Sequence, residues 1–323
     1  MKTLAQYILS NMKFDKITLL EKQGIFNGCE DIANELVKLI VKETKKGIEE
    51  NINTEIAFNV SKYNPIFRDD IIINIKYKFI KSEKFTILAD TSFDEENLFK
   101  YDTGRLALSQ EEVNKLESKP YKIDIEANIE EINLYDLKGI LMHELTHFYT
   151  AILFYNKKEN YFDRTYYKPD DWENDSEYLL YFVQQDEVNS WVTEMKSELD
   201  RIKTKGFDNV FNELKETEIF KKIMHYKDIF NQENKLFSFK ENDLKDYPNL
   251  YRKHFNTKDN DNKIYLDTKH KINKAYNQLY RTVVKMCYEY KGDKDFIYNE
   301  FGEETFKPWK YLEKYNKRRV SGR

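Results

Sequence analysis

Cysteine is almost absent from this chain of 323 residues, which has only Cys29 and Cys287. Two widely separated thiols make no disulfide framework, so a reducing, intracellular setting is the default expectation. With five prolines and nine glycines there are few tight turns, which favours a helix-rich globular protein. No apolar run approaches the roughly 20 residues that a membrane-spanning helix requires. Residues Met1 to Glu21 mix charges throughout and lack the apolar centre of a secretory signal. Neither sign of charge dominates: 53 Lys and Arg face 57 Asp and Glu, a net charge of −4, so bulk electrostatics do not point to nucleic acid. A Gly-rich phosphate loop, a nucleophile elbow and internal repeats are missing as well. These absences predict a cytoplasmic protein with neither membrane nor nucleic-acid partners. The length allows one large domain or two ordinary ones, with a substantial core.

Histidine is scarce too, with five in the chain, yet two of the five fall in one short stretch, Ile140 to Tyr149. It reads His143-Glu144-Leu145-Thr146-His147, an HExxH pattern. A chance match in so histidine-poor a chain has a probability of roughly one per cent. Residues four apart on an α-helix share one face, so both imidazoles can aim at one metal ion. Zinc takes neutral imidazole nitrogen, and catalytic zinc has three protein ligands and a water. Glu144 flanks the metal and is placed to take a proton from that water. The neighbours Leu141, Met142, Leu145, Thr146, Phe148 and Tyr149 are uncharged, as a buried active-site helix requires. The competing reading is a core helix whose histidines are merely hydrogen-bonded.

The motif resembles that of the zincin metallopeptidases. It differs from the metzincin branch, because Phe148 to Leu153 supply neither the glycine nor the third histidine of that branch. The gluzincin branch takes its third ligand from a glutamate on a later helix, in a pattern resembling N-E-x-x-S-D. Residues Ser176 to Leu199 predict such a helix. On a helical wheel Leu180, Val183, Val188, Trp191, Met195 and Leu199 form its apolar face. Glu187 falls on that face and Asp186 points away. A carboxylate on a buried stripe is costly unless paired or metal-bound. Glu187 and Ser190 match the inner part of the gluzincin pattern. Asp186 stands where asparagine is expected and Trp191 where aspartate is, so the usual carboxylate partner of a histidine ligand is missing. Glu194 also approaches the apolar face and is the alternative third ligand.

The remaining chain supplies a setting. Leu4, Tyr7, Ile8 and Met12 recur at helical spacing, and Ile32, Leu36, Leu39, Ile40 and Val41 line a second helix from about Glu30 to Lys46. The opening Met1 to Ile8 resembles the short helices with which some tailed phages target proteins into capsids. That likeness adds packaging in a phage virion as an alternative location. Between 54 and 129 the period changes to two. Ile56, Phe58 and Val60 predict one strand, Ile71 to Phe79 a second, Phe85 to Ala89 a third and Tyr121 to Ile129 a fourth. Residues 91–119 read as loop with a short helix near 109–117. The active helix is expected from Asn133 or Tyr135 to Tyr155, with Asn133 as N-cap and Leu137, Ile140, Leu141, Leu145, Phe148 and Ile152 burying its back. The zincin resemblance implies an edge strand that pairs with an extended peptide. Tyr121–Ile129 or a neighbour would serve, unless it is an interior strand. Lys157 to Asp175, rich in aromatics, predicts a loop pinned by those rings, or a cleft wall whose tyrosine supplies an oxyanion donor. Val210 to Ile223 predicts a helix broken near Glu216, and Ile272 to Val284 another. Residues 235–265 read as polar and irregular. His225 is a candidate transition-state stabiliser, against the simpler reading of a surface histidine. His254 and His270 stand in no motif.

Taken together, the sequence predicts an α+β, zincin-like protein with a small antiparallel or mixed sheet before the HExxH helix and a mainly helical C-terminal part. The expected division is a helical segment at 1–50, a catalytic domain at 51–200 and a helical region at 201–323. The expected activity is zinc-dependent peptide hydrolysis, with His143, His147 and Glu187 holding Zn2+, Glu144 as general base, and a polypeptide substrate. The rival is a non-catalytic phage or mobile-element protein that keeps a zincin-like domain for binding.

Overall fold

The computed structural model describes residues 19–47, 54–59, 72–83, 87–93, 121–156, 169–171, 174–184, 187–191, 193–194, 197, 212–213, 215–231, 244–289 and 296–311. The N-terminal residues that resemble a phage targeting helix lie outside this set. So do residues 109–117 and most of the aromatic connection from 157 to 173. The fold is α+β, with a small mixed sheet and mostly helical content. The described residues fall into two compact units. One draws on Asn160–Val192 and Ile202–Tyr290, the other on Phe14–Glu159, Thr193–Arg201 and Lys291–Arg323.

The second of these holds the sheet. Strands β1 (Thr54–Asn59), β2 (Ile72–Ile80), β3 (Ile87–Phe93) and β4 (Tyr121–Asn128) lie in the order β1-β2-β4-β3. β2 runs parallel to β4, and β1 and β3 are antiparallel to their neighbours. The period-two pattern sets the buried row. Ile75 and Tyr77 of β2 align with Ile123 and Ile125 of β4, and these four are buried together with Ile73 of β2 and Ala127 of β4. Each fully buried aliphatic side chain contributes about 1.5–3 kcal/mol of burial. Lys78 and Glu126 pair across the other face. Asn74, expected among the exposed partners, is buried. A short amide on an interior strand is covered by its longer neighbours, whereas Lys76 and Lys78 reach past them. β3 continues through Thr91 and Ser92 into residues read as loop.

β4 is an interior strand, flanked by β2 and β3, so it is not the edge that Tyr121–Ile129 was expected to offer. Among the described strands, β3 pairs on one side only, with β4. It packs against α2 (Leu134–Asn156), the helix that carries the HExxH residues. Helix α1 (Leu19–Lys45) packs on α2 as well and starts well before its apolar stripe. Its Ile32, Leu36, Ile40 and Val41 are buried. Lys138 of α2 is buried and reaches Glu30 of α1 at 3.3 Å. A short helix α7 (Phe296–Phe301) and strand β6 (Thr305–Phe306) complete this unit. β6 pairs with β5 (Ile132–Asn133), immediately before α2, and the backbone N–H of Leu134 donates to the Glu304 carbonyl.

The other unit is helical. α3 (Asp175–Phe182) starts at the N-cap Asn174, whose side chain accepts from the N–H groups of Ser176 and Glu177. α4 (Glu218–Asn231) follows a turn at Glu216, where the sequence suggests a break. α5 (Tyr247–Phe255) lies in the region read as irregular, whereas α6 (Asp261–Glu289) contains the helix expected over Ile272 to Val284 and begins before it. Pro248 in the first turn and the left-handed Asn256 after Phe255 are the signals that mark α5. Tyr247 and Tyr251 are buried from α5. The Tyr247 hydroxyl bonds Thr268 of α6, and Tyr251 donates to Asp267. Among the described residues no helix is long and apolar enough to cross a membrane.

Candidate metal centre

The helix α2 that bears the site starts where its sequence says it should. The Asn133 side chain accepts from the N–H groups of Tyr135 at 2.9 Å and Asp136 at 3.4 Å. This satisfies donors that a helix start leaves orphaned. From Leu134 to Phe148 nearly every residue is buried, including Leu137, Leu141, Leu145 and Phe148; Ile140 is half-buried. A helix covered all round needs apolar residues on every face, and this one has them. The side chain of Ile152 lies outside the described set.

His143 and His147 are 8% and 7% exposed, and Glu144 is 9% exposed. The two Nε2 atoms approach to 3.2 Å. The other nitrogen of His143, Nδ1, lies 3.0 Å from a carboxylate oxygen of Glu194. A carboxylate only accepts, so Nδ1–H is the donor and Nε2 of His143 presents its lone pair. That lone pair faces the second imidazole. A proton on either ring or a shared cation can bridge two such nitrogens. Tetrahedral zinc with ordinary Zn–N bonds separates its imidazole nitrogens by about 3.3 Å. The observed spacing therefore suits both imidazoles on one ion.

Glu187 is fully buried and joins them. One donor atom from each of His143, His147 and Glu187 lies within 4.8 Å of the others. Two neutral imidazoles and one carboxylate form the donor set of many catalytic zinc sites. Among the described residues this is the one His/Cys/Asp/Glu group with such spacing.

The single helix expected over Ser176–Leu199 is interrupted. α3 ends at Phe182, Val183 is its C-cap, and Glu187 is again helical. The Val188 N–H donates to the Gln184 carbonyl across the interruption. Residues 187–191, 193–194 and 197 are helical. The Ser197 hydroxyl donates to the Tyr135 carbonyl at 2.7 Å. Thr193 and Thr146 share a hydroxyl contact of 2.9 Å, and Thr146 donates back to the Met142 carbonyl at 2.7 Å. The thiol of Cys29 stands 3.8 Å from the Thr146 hydroxyl. Burial pushes that thiol's pKa up, which keeps it protonated. These buried hydroxyls lock the segment to the back of the histidine helix. Thr193 and Ser197, both fully buried, are short enough to permit the close approach.

The other candidates fall elsewhere. Glu194 contacts the remote nitrogen of His143 and is no member of the three-residue donor group. Trp191 lies against the Phe182 ring, with centroids 4.2 Å apart. His225 is exposed on α4, its ring beside Tyr226. Sequence reasoning missed Gly139. A Cβ built there would stand 3.3 Å from Glu194 Cγ and 3.4 Å from Ser197 Cβ. The available signal was a glycine one helical turn before His143, on a helix with no other reason to carry one. Compared with protein-family models, curated proteins and solved structures, the chain matches none.

Proposed function

We propose that this chain is a zinc-dependent peptidase of gluzincin-like type. The observation that carries the reading is the convergence of His143, His147 and Glu187 donor atoms within 4.8 Å. His143 and His147 would bind zinc as neutral imidazoles and Glu187 as a carboxylate. Zinc supplies, when bound, a Lewis acid that polarises a carbonyl and makes water acidic enough to react near neutral pH. Glu144, next to His143 and 9% exposed, is the proton carrier. It accepts a proton from the attacking water and delivers it to the departing amine, so the peptide bond breaks without releasing an unprotonated amide. Nearly complete burial of the histidines excludes bulk water and strengthens each of these interactions.

The substrate in this reading is an extended polypeptide. β3 packs against α2 and pairs on one side among the described strands. The zincin resemblance implies that a peptide adds to such an edge by backbone hydrogen bonds.

The test is cleavage of a denatured-proteome peptide library by the zinc-loaded chain, read by mass spectrometry beside Glu144→Gln. The expected outcome is cleavage by the wild type and a loss of roughly 10²–10⁴-fold in the variant, with zinc retained. Equal cleavage by both would reject Glu144 as the base. Bound zinc without cleavage of any peptide would favour the binding protein over the enzyme.

A further inference from the structure

We propose that Glu194 is the positioning carboxylate of the metal centre: it holds the Nδ1–H of His143 so that Nε2 alone faces the ion. The inference rests on the proposed zinc site and adds a role for a residue outside the ligand set. Glu194 Oε2 lies 3.0 Å from Nδ1, on the side of the ring remote from the Nε2 that approaches His147. Histidine ligands commonly donate their second nitrogen to a carboxylate, which fixes the tautomer and raises the basicity of the ligating nitrogen. The gluzincin pattern would put an aspartate at 191 for this purpose. Trp191 stands there and is spent on Phe182. Glu194 is seven residues beyond Glu187, two turns on a helix and hence the same face.

The surroundings of Glu194 show how it is held. Its Cγ lies over Gly139, where even a methyl group would be 3.3 Å away. The bare backbone of Gly139 thus seats the stem of Glu194 one turn before His143. Thr193 on one side and Ser197 on the other are fastened to α2 through Thr146 and the Tyr135 carbonyl. The glutamate side chain is about a quarter exposed, so its carboxylate is close to the ring without being sealed from water. Its Oε2 is engaged with the ring's far nitrogen, which separates this role from that of a ligand.

Two measurements test the assignment. The first titrates the metal-free full-length chain with Co2+ and follows the d–d absorption of wild type, Glu194→Gln, Glu194→Ala and Glu187→Ala. The expected order of affinity is wild type, then Gln, then Ala, with Ala weaker by roughly 10–100-fold and its spectrum unchanged in shape at saturation. Glu187→Ala should change the spectrum, because it removes a ligand. Affinity of Glu194→Ala within twofold of wild type would overturn the positioning role while leaving the metal site intact. A spectral change in Glu194→Ala matching that of Glu187→Ala would make Glu194 a ligand. Failure of the wild type to bind would reject the zinc site itself and this role with it. The second measurement needs no Glu194 variant to fold. Imidazole 15N spectra of the metal-free wild type, with His143 assigned through His143→Gln, should show His143 as the Nδ1–H tautomer. The Nε2–H tautomer would overturn the proposal.

Discussion

Cys29 shows what individual side chains contribute at this site. Its thiol is fully buried between α1 and α2, and desolvation raises its pKa, only partly opposed by Thr146. The thiolate is the reactive form, so native Cys29 should resist alkylation. In a Cys287→Ser background, a thiol reagent at pH 8 should leave the folded protein unlabelled for hours and react fully in denaturant. Labelling within minutes in the native state would contradict the buried placement. Lys138 offers a second case. It is 2% exposed, and its ammonium faces Glu30 and lies over the Phe296 ring, so Glu30→Gln removes an ion pair from a buried charge. A destabilisation of roughly 3 kcal/mol is expected by urea unfolding, near the low end for such pairs because Glu30 keeps some water contact. At this scale the sequence was most readable where chemistry restricts spacing. HExxH places two imidazoles on one helix face, and the wheel brings Glu187 inward. The partnership of Glu194 with His143 was not readable. The wheel indicates a face but not which atom a four-bond side chain reaches, and Gly139 settles that only once α2 and its neighbour are packed.

Helix α2 is the element on which the site depends, and its stability is separable from its chemistry. Asn133→Ala removes the cap acceptor for two N–H groups and should cost about 1 kcal/mol in denaturant unfolding with zinc stoichiometry unchanged. A loss of zinc at full stability would show that Asn133 acts on the site directly. Leu141, fully buried one turn before Leu145, tests the packing: Leu141→Ala should cost about 2–5 kcal/mol. The elements were legible where one period ran unbroken, as in β2, β4 and α2. They were not where tertiary packing overrides the local pattern. The expected helix from Ser176 breaks at Val183 and Gln184 despite continuous apolar spacing. α5 was hidden because Tyr247 and Tyr251 bury long aromatic faces amid polar neighbours, so its hydrophobicity is carried by few residues. The end of β3 was not legible, since Thr91 and Ser92 read as polar loop although both fit a pleated strand.

At the scale of the whole molecule, buried phenols set a pH limit. Burial is the leading cause that raises the pKa values of Tyr226, Tyr247 and Tyr251, with smaller contributions from nearby Asp175 and Asp267. Unfolded tyrosine ionises near pH 10. Because the folded values are higher, the fold favours the protonated phenol. That stabilisation is complete below about pH 10 and is lost as pH rises through the folded values. Urea midpoints should therefore be flat from pH 8 to 9.5 and fall beyond pH 10, with a further rise in phenolate absorbance, from the buried rings, accompanying unfolding. A midpoint unchanged to pH 11.5 would contradict the burial of these rings. The α+β character and the small mixed sheet were readable from the change of period along the chain. The order β1-β2-β4-β3 was not, because strand order depends on long-range pairing that alternation does not encode.

The central claim is that His143, His147 and Glu187 together hold zinc. The most direct test is the metal content of the purified chain beside Glu187→Ala, measured by elemental mass spectrometry without added metal. The account predicts about one zinc per wild-type chain and a large loss in the variant. Equal zinc in both would remove Glu187 from the site, and no zinc in either, even after it is supplied, would contradict the metal centre and the peptidase built on it.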